Sequence, residues 1–290
     1  MTYDKHTCEV GHPALRREFI GSSDASAIMG VSPWDTPLTL WETKVGLRPA
    51  KDLSFAMARG IELEQEARNY ISEKTGIEFH PTRIFSQEYP WMMANLDGIS
   101  VCEQYSVEIK CPGAADHACA IAGVVPEKYL PQLIHQMIVT GHKIMYYLSY
   151  VPNNPVILKV EYDEDYAKKL IKKEMEFKYC LIEFREPEKT DKDYRKKNDA
   201  SWNNAAQKFI SLSTMKKQLD DQVEEARQDL LKLTDGNSCE GCGVKVIKSV
   251  RKGSIQYSKI PEIQHIDLDY YRSNPTEVWK ILINGDSSDE

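Results

Sequence analysis

The sequence predicts a mixed α/β fold in which a central sheet of about five strands is flanked by helices. Segments with apolar side chains at alternate positions are typical of strands, and apolar residues every three or four positions are typical of helices. Clusters of Pro, Gly and Asn separate these segments. No GxGxxG motif follows a predicted strand, so a Rossmann fold is excluded. We place the main domain at residues 1–185 and a C-terminal extension at residues 186–290.

The first elements are predicted to be helical. Residues 22–46 should form a helix, the turn "GVSPWDTP" and a second helix "LTLWETKVG". Thr36 or Asp35 is placed to cap the second helix, and Pro37 occupies its first turn. Apolar residues at helical spacing predict a third helix within residues 52–75, which Gly76 ends.

The predicted sheet occupies the middle of the chain. A three-stranded meander comes first, and two more strands flank the turn "PNNP" after a helix that contains an early proline. The strands are expected at residues 77–86, 92–101, 105–110, 143–151 and 156–163, and the helices at 127–141 and 164–184.

The C-terminal extension begins with a charged, linker-like run. Residues 201–234 then carry apolar side chains at spacings of three and four, which predicts one long amphipathic helix, in an antiparallel pair or a coiled coil. A hairpin is expected over residues 244–261, a short helix from residue 267 and a disordered tail after it. The CxxC at Cys239 and Cys242 is interpreted as a Gly-rich turn rather than a metal site, because ligands at suitable spacing are lacking.

The composition is that of an ordinary globular protein, with 41% hydrophobic and 28% charged residues. No apolar run approaches the roughly 20 residues that span a bilayer, and the polar first residues do not resemble a signal peptide. We therefore expect no membrane partner and a cytoplasmic location. The formal net charge of −7 excludes a surface that is basic throughout. If nucleic acid is the partner, positive charge must be concentrated in a channel.

Charged residues interrupt two of the predicted strands. Glu108 and Lys110 in "SVEIK" lie on the same face of their strand, since side chains alternate with period two. A hairpin would bring Asp97 beside Glu108, and each carboxylate would raise the pKa of the other. A bound Mg²⁺ or Mn²⁺ removes that conflict, with the backbone carbonyl of Ile109 as a further ligand. Lys110 would orient or deprotonate a water, or stabilise charge on a phosphorane. The alternative is a solvent-facing Glu–Lys pair at a strand edge.

Neighbouring helices offer further polar groups. Glu64 follows Gly60 by four residues, so it lies on the same helical face above a position without a side chain, which would let the helix approach the sheet or a metal. Gln132 and Gln136 share one face of the helix at 127–141. For Gln136 we favour an ordinary polar helix surface.

Five segments in order resemble one family. The segments "FIGSSDASAIMGVSPWDTPLTLWETKVG", "RGIELEQEAR", "ANLDGIS", "VEIKCPG" and "KYLPQLIHQMIVTG" are similar to the YqaJ-type viral recombinases, the phage lambda exonuclease branch of the PD-(D/E)XK nucleases. The resemblance covers residues 14–185 and implies a restriction-endonuclease-like core. The segment "RKGSIQYSKIPEI" is more weakly similar to the tail of such nucleases.

The resemblance implies roles for particular residues. The family's metal-binding glutamate and aspartate correspond to Glu64 and Asp97, and its E-x-K pair corresponds to Glu108 and Lys110. Its glutamine after the sheet corresponds to Gln132.

The family also binds the 5′-phosphate of a DNA end near its N-terminus. Ser23 and Arg16 are implied to do so here, with Ser22 and Arg17 as close alternatives. A hydroxyl beside a helix N-terminus and a guanidinium suit that task.

The implied activity is a Mg²⁺-dependent 5′→3′ exonuclease that resects double-stranded DNA ends and leaves a 3′ overhang for a single-strand annealing recombinase. By analogy, a homo-oligomeric ring of three subunits in a bacterial or phage-infected cell is implied. A structure-specific or non-processive endonuclease of the same fold is the main alternative. A non-catalytic DNA-binding protein is less favoured because the metal-binding positions are intact.

Overall fold

The computed structural model describes residues 18–49, 54–254, 260, 261 and 266. The chain divides into two compact units, Met1–Arg195 and Lys196–Glu290. The first unit contains a six-stranded mixed sheet with helices on both faces, so the α/β fold expected from the sequence is confirmed. Its strands are β1 (Ile20–Gly21), β2 (Phe79–Phe85), β3 (Met92–Ser100), β4 (Ser106–Lys110), β5 (Ile144–Ser149) and β6 (Val156–Glu161).

Strand β3 pairs with three other strands of the sheet. One edge of β3 pairs with β2 in antiparallel fashion along most of its length. On the opposite edge, β1 pairs in parallel with Met92 and Met93, and β4 pairs antiparallel with Gly98 and Ile99. Between these two contacts, no strand of the described chain pairs with residues 94–97 on that edge. The sheet therefore opens beside Asp97.

The helices of the first unit are α1 (Ala25–Ile28), α2 (Pro37–Lys44), α3 (Phe55–Thr75), α4 (Ala114–Ile121), α5 (Leu130–Thr140) and α6 (Glu164–Ile182). Helix α3 packs Ala67 and Ile71 against Val107 and Ile109 of β4. Helix α5 packs Leu133, Ile134 and Met137 into the other large core cluster, with residues of β3 and β5. Two helices thus approach β4 from opposite sides, which is what brings their polar residues to one place.

Gly98 is the close-packed position at which β3 meets β4. A Cβ atom there would lie 2.8 Å from Cγ1 of Val107 and 2.9 Å from Cβ of Phe79, both buried. We expect Gly98→Ala to destabilise the fold by about 1–3 kcal/mol, because the strands must move apart to accept the methyl group. Urea denaturation measures this. Gly60→Ala is the matched control, since a Cβ at Gly60 meets no atom within 4 Å. Equal stability of the two variants would contradict the packing argument.

The second unit contains one long helix and a short hairpin. Helix α7 covers Ala200–Lys232, and strands β7 (Cys239–Gly241) and β8 (Val244–Val246) pair antiparallel. The two turn residues, Cys242 and Gly243, have φ angles of 48° and 79°. Positive φ at both central positions is the conformation that suits a two-residue hairpin turn. The turn expected at the CxxC is confirmed.

Several element boundaries differ from the sequence prediction. Strand β1 and helix α4 were not predicted, because two residues are too few to show periodicity and Gly113 gives α4 no side-chain cap. The first predicted helix is only a 3-10 turn (Ser22–Asp24) followed by α1. Of the two candidate caps for α2, Thr36 is the observed one: its side chain accepts a hydrogen bond from the Thr39 backbone N–H at 3.1 Å.

The hairpin predicted over residues 244–261 was placed too late along the chain. Its first strand is β7, and residues 247–254 contain no strand. The short helix predicted from residue 267 and the tail after it lie outside the described residues. Among the helices that the structure describes, none combines the length and the apolar character needed to cross a membrane.

Candidate active site

Asp97 lies where β3 and β4 separate. Its carboxylate Oδ2 accepts a hydrogen bond from the backbone N–H of Ile109 at 2.7 Å. The Asp97 side chain thus replaces the backbone carbonyl that the next residue pair between β3 and β4 would supply as hydrogen-bond acceptor. Arg68 of α3 donates from Nε to the Asp97 carbonyl oxygen at 2.6 Å, on the open edge of β3. Asp97 is therefore fixed in place by both neighbouring elements.

Glu108 is a buried carboxylate held by three side chains. It is 1% exposed. Its Oε1 accepts a hydrogen bond from Gln132 Nε2 at 2.6 Å and lies 2.5 Å from Lys110 Nζ. Its Oε2 accepts from Gln136 Nε2 at 2.6 Å. Both glutamines are on α5, so this helix and β4 together define the orientation of the carboxylate.

Lys110 is a partly buried cation that contacts two acceptors. Besides Glu108, its Nζ donates to Gln132 Oε1 at 3.1 Å and lies 5.2 Å from the centroid of the Tyr129 ring. Burial alone would lower the pKa of Lys110, but the carboxylates of Glu108 and Asp97 outweigh it and raise that pKa. Lys110 is therefore a permanent positive charge at neutral pH. That state suits electrostatic stabilisation and orientation of a reactant better than removal of a proton.

The carboxyl of Asp97 shows the charge conflict at this site. Burial is the main cause that raises its pKa to about 8, and the neighbouring Glu108 carboxylate raises it further. Lys110 and the Ile109 N–H act in the opposite direction, and Glu64 adds a small repulsion. The carboxylates of Asp97 and Glu108 thus repel each other, and Lys110 attracts both. Additional positive charge would relieve the repulsion.

Glu64 of α3 approaches the site through Arg68. The two form an ion pair one turn apart on the helix, and Arg68 also donates to the Gln65 side chain at 2.8 Å. Within the described part of the chain, no three His, Cys, Asp or Glu side chains are grouped closely enough to hold an ion. Also within that part, no atom lies near the Cβ position at Gly60, so the close helix approach expected there is not found.

The other predicted site residues have different positions. Ile109 contributes its N–H to Asp97. Ser22 is buried and Ser23 is exposed, both in the 3-10 turn that follows β1. Arg16 and Arg17 lie outside the described residues. The structure thus brings Asp97, Glu108, Lys110 and Gln132 together, and it links Glu64 to them through Arg68; the remaining predictions stay predictions.

Two residues of this cluster were missed from the sequence. Gln136 was interpreted as part of a polar helix surface, which is wrong: it is fully buried and holds Glu108. Its spacing of four from Gln132 was the available signal, since it places both amides along one line of the helix. Arg68 stands four residues after Glu64, but sequence alone does not show that it reaches the Asp97 carbonyl.

Comparisons with known proteins agree with the motifs. Residues 12–143 match the model of the YqaJ-like viral recombinase domain. A Bacillus subtilis (strain 168) protein named "Uncharacterized protein YqaJ" is 29% identical over 174 residues, which are 56% of this chain and 53% of the relative. The chain thus spans about half the length of the curated relative that it matches.

A solved structure resembles the fold. The alkaline exonuclease LHK-Exo from Laribacter hongkongensis superimposes with a TM-score of 0.52 at 22% identity, covering 59% of this chain and 91% of that one. The same protein in complex with dAMP gives a TM-score of 0.52 at 21% identity over the same shares of the two chains. Residues 12–143 of this chain are therefore similar to the YqaJ-like viral recombinase domain, and the resemblance inferred from the motifs is confirmed.

Proposed function

We propose that this chain is a divalent-metal-dependent deoxyribonuclease, acting as a 5′→3′ exonuclease on double-stranded DNA ends and leaving 3′ overhangs. One observation carries the proposal. The Glu108–Lys110 pair lies on β4 next to Asp97, at the point where the sheet opens, inside a YqaJ-like domain. The similar fold of LHK-Exo supports this interpretation of the site, because that protein is an alkaline exonuclease and has been solved in complex with dAMP.

The donor set fits Mg²⁺, with Mn²⁺ as a substitute. Asp97 and Glu108 offer hard carboxylate oxygens, and the carbonyl of Ile109 offers another oxygen. Burial raises the pKa of Asp97, the Glu108 carboxylate raises it further, and a divalent ion would oppose both effects by favouring the ionised carboxylates. Glu64 would join as a third carboxylate only after leaving Arg68. Bound there, the ion would act as a Lewis acid on the phosphodiester.

The protein's own side chains would do the rest. Lys110 carries a fixed positive charge and would stabilise negative charge that develops on the scissile phosphate. Gln132 forms hydrogen bonds with both Glu108 and Lys110, so it holds the carboxylate and the ammonium in a fixed relative position. Gln136 holds the other oxygen of Glu108 and prevents it from rotating. Pre-positioned groups of this kind reduce the reorganisation needed in the transition state.

End recognition is assigned to the N-terminal segment. Arg16 and Ser23 would bind the 5′-phosphate, with Arg17 and Ser22 as alternatives; the exposure of Ser23 and the burial of Ser22 favour Ser23. The partners we propose are duplex DNA ends and a single-strand annealing recombinase in the bacterial cytoplasm. A ring of three subunits would concentrate basic groups in its channel and leave the acidic charge outside.

Digestion of matched linear and circular DNA tests the proposal. With Mg²⁺, a linear duplex that carries a labelled 5′-phosphate should release labelled mononucleotides. Closed circular DNA of the same sequence should stay intact, and a chelator should stop the reaction. A 3′ label should remain in long fragments throughout. Nicking of the circle at a rate close to that on linear DNA would instead show an endonuclease, and digestion without any divalent ion would overturn the metal assignment.

A further inference from the structure

Helix α7 carries an apolar stripe that is entirely exposed. The stripe follows a seven-residue repeat in which the first (a) and fourth (d) positions are apolar. The a positions are Trp202, Phe209, Lys216, Val223 and Leu230. None of the 33 residues of α7 is buried, and the exposed fractions of its large a-position side chains run from 38% for Phe209 to 65% for Val223. Lys216 alone breaks this part of the stripe.

The d positions complete the pattern. They are Ala205, Leu212, Leu219, Ala226 and, directly after the helix, Leu233. Leu212 and Leu219 are 55% and 59% exposed. A seven-residue repeat that is apolar at nine of its ten a and d positions is the pattern of a left-handed coiled coil, because it keeps one seam facing a second helix. A helix of this length extends about 50 Å, long enough for a stable pair.

The charges of α7 identify the second helix. The half before Asp220 carries three lysines and no acidic residue, whereas the half from Asp220 to Lys232 carries five acidic and two basic residues. The first half is thus +3 and the second −3. Two copies running in opposite directions place each basic half against an acidic half. Two parallel copies place like charges together, which is unfavourable.

The sizes of the seam residues favour the same arrangement. In an antiparallel pair with full overlap, a positions face d positions, so Phe209 meets Ala226 of the second copy and Leu230 meets Ala205 of the second copy. These two large side chains then each face a small one, as dense packing requires, while Val223 meets Leu212 and Lys216 meets Leu219. A parallel pair would instead set Phe209 against Phe209, and Lys216 against Lys216 in the middle of the seam.

We propose that α7 is a self-association surface, which binds α7 of a second copy of this chain as an antiparallel two-helix coiled coil. The pair doubles whatever assembly the rest of the chain forms. The proposal concerns the second unit and does not depend on nuclease activity.

The mass of the full-length protein in solution tests the pairing. We expect the double variant Leu212→Glu/Leu219→Glu to halve the mass measured by light scattering or sedimentation, because charges replace the seam side chains. The dissociation constant should rise at least about 100-fold. The control, Ser211→Glu/Gln218→Glu, adds the same charge at neighbouring positions off the seam and should keep the wild-type mass. Circular dichroism should show equal helix content in both. A wild-type mass that the seam variant leaves unchanged would overturn the proposal.

The direction of pairing has its own test. A photo-crosslinking amino acid in place of Phe209 should join the partner copy within the peptide that contains Ala226. Mass spectrometry identifies the crosslinked peptide, and mixing isotopically labelled and unlabelled protein shows that the link joins two copies. Crosslinking to the peptide around residue 209 of the second copy would mean a parallel pair, and a link within one copy would mean that another segment of the same chain covers α7. Either result would contradict the antiparallel self-pair.

Discussion

Replacing Lys110 with alanine should reduce cleavage of linear duplex DNA by at least about 100-fold while the protein stays folded. Losses of that size are usual when a group that stabilises transition-state charge is removed. Lys110 is suited to the role because neighbouring carboxylates raise its pKa, so it keeps its charge at neutral pH. Gln132 and Gln136 still hold Glu108 in the variant, so the site keeps its shape.

Three measurements separate a catalytic role of Lys110 from a structural one. Single-turnover rates on a saturating concentration of linear DNA report the chemical step, thermal unfolding reports the fold, and titration with Mn²⁺ reports metal binding. Only the first should change strongly. Lys159→Ala is the matched control. Lys159 is an exposed lysine on the same sheet, so the variant removes the same charge at a position away from the site. A Lys110→Ala protein that retains more than about a tenth of the rate would contradict the assigned role.

The local parts of this site could be predicted from the sequence. Alternation along "SVEIK" is enough to place Glu108 and Lys110 on one face of a strand, and the short loop before it is enough to place Asp97 nearby. Helix spacing similarly predicts that Gln132 and Gln136 share a face. The strands at the centre of the sheet were found for the same reason, since periodicity is a property of neighbouring residues.

The remainder depends on contacts between residues far apart in the chain. The sheet opens beside Asp97 because β4 pairs only with Gly98 and Ile99, and β1 pairs with the same edge of β3 only at Met92 and Met93. The burial of Gln136 follows from a carboxylate 28 residues away. Neither the opening of the sheet nor the burial of Gln136 produces a local pattern in the sequence. For the same reason, the buried pair of His135 and Glu174 was not predicted. His135 is next to Gln136 in the chain, but its side chain contacts Glu174 of α6.

Breaking the His135–Glu174 pair should destabilise the first unit by about 3–5 kcal/mol, because the remaining partner is left buried without compensation. Both side chains are 0% exposed, and His135 Nδ1 lies 2.8 Å from Glu174 Oε1. His135 Nε2 lies 3.0 Å from the Met93 carbonyl, so the pair connects α5, α6 and β3. Glu174→Leu keeps the approximate volume of the side chain but removes the carboxylate. Urea denaturation measures the loss.

The double variant His135→Leu/Glu174→Leu separates electrostatics from packing. If the loss in the single variant reflects an unpaired buried group, the double variant should be more stable than Glu174→Leu, because two apolar side chains can replace a buried ion pair at little cost. If the losses of the two single variants instead add in the double variant, the residues act independently and the pair contributes nothing as a pair.

The pH dependence of the stability of the same variants shows how protonation of the His135–Glu174 pair contributes to folding. Burial would lower the pKa of His135, but the Glu174 carboxylate and its hydrogen bond outweigh burial and raise that pKa above its ordinary 6.5. Burial raises the pKa of Glu174 above 4.5 despite His135. The folded state therefore holds protons more tightly than the unfolded state. The contribution of His135 is complete below about pH 6.5 and is lost as the pH rises through the raised pKa, and the Glu174 shift has the same sign. As the pH rises from about 6.5 through the raised pKa of His135, the wild type should lose stability relative to the double apolar variant. A constant difference across that range would show that neither group changes its protonation on folding.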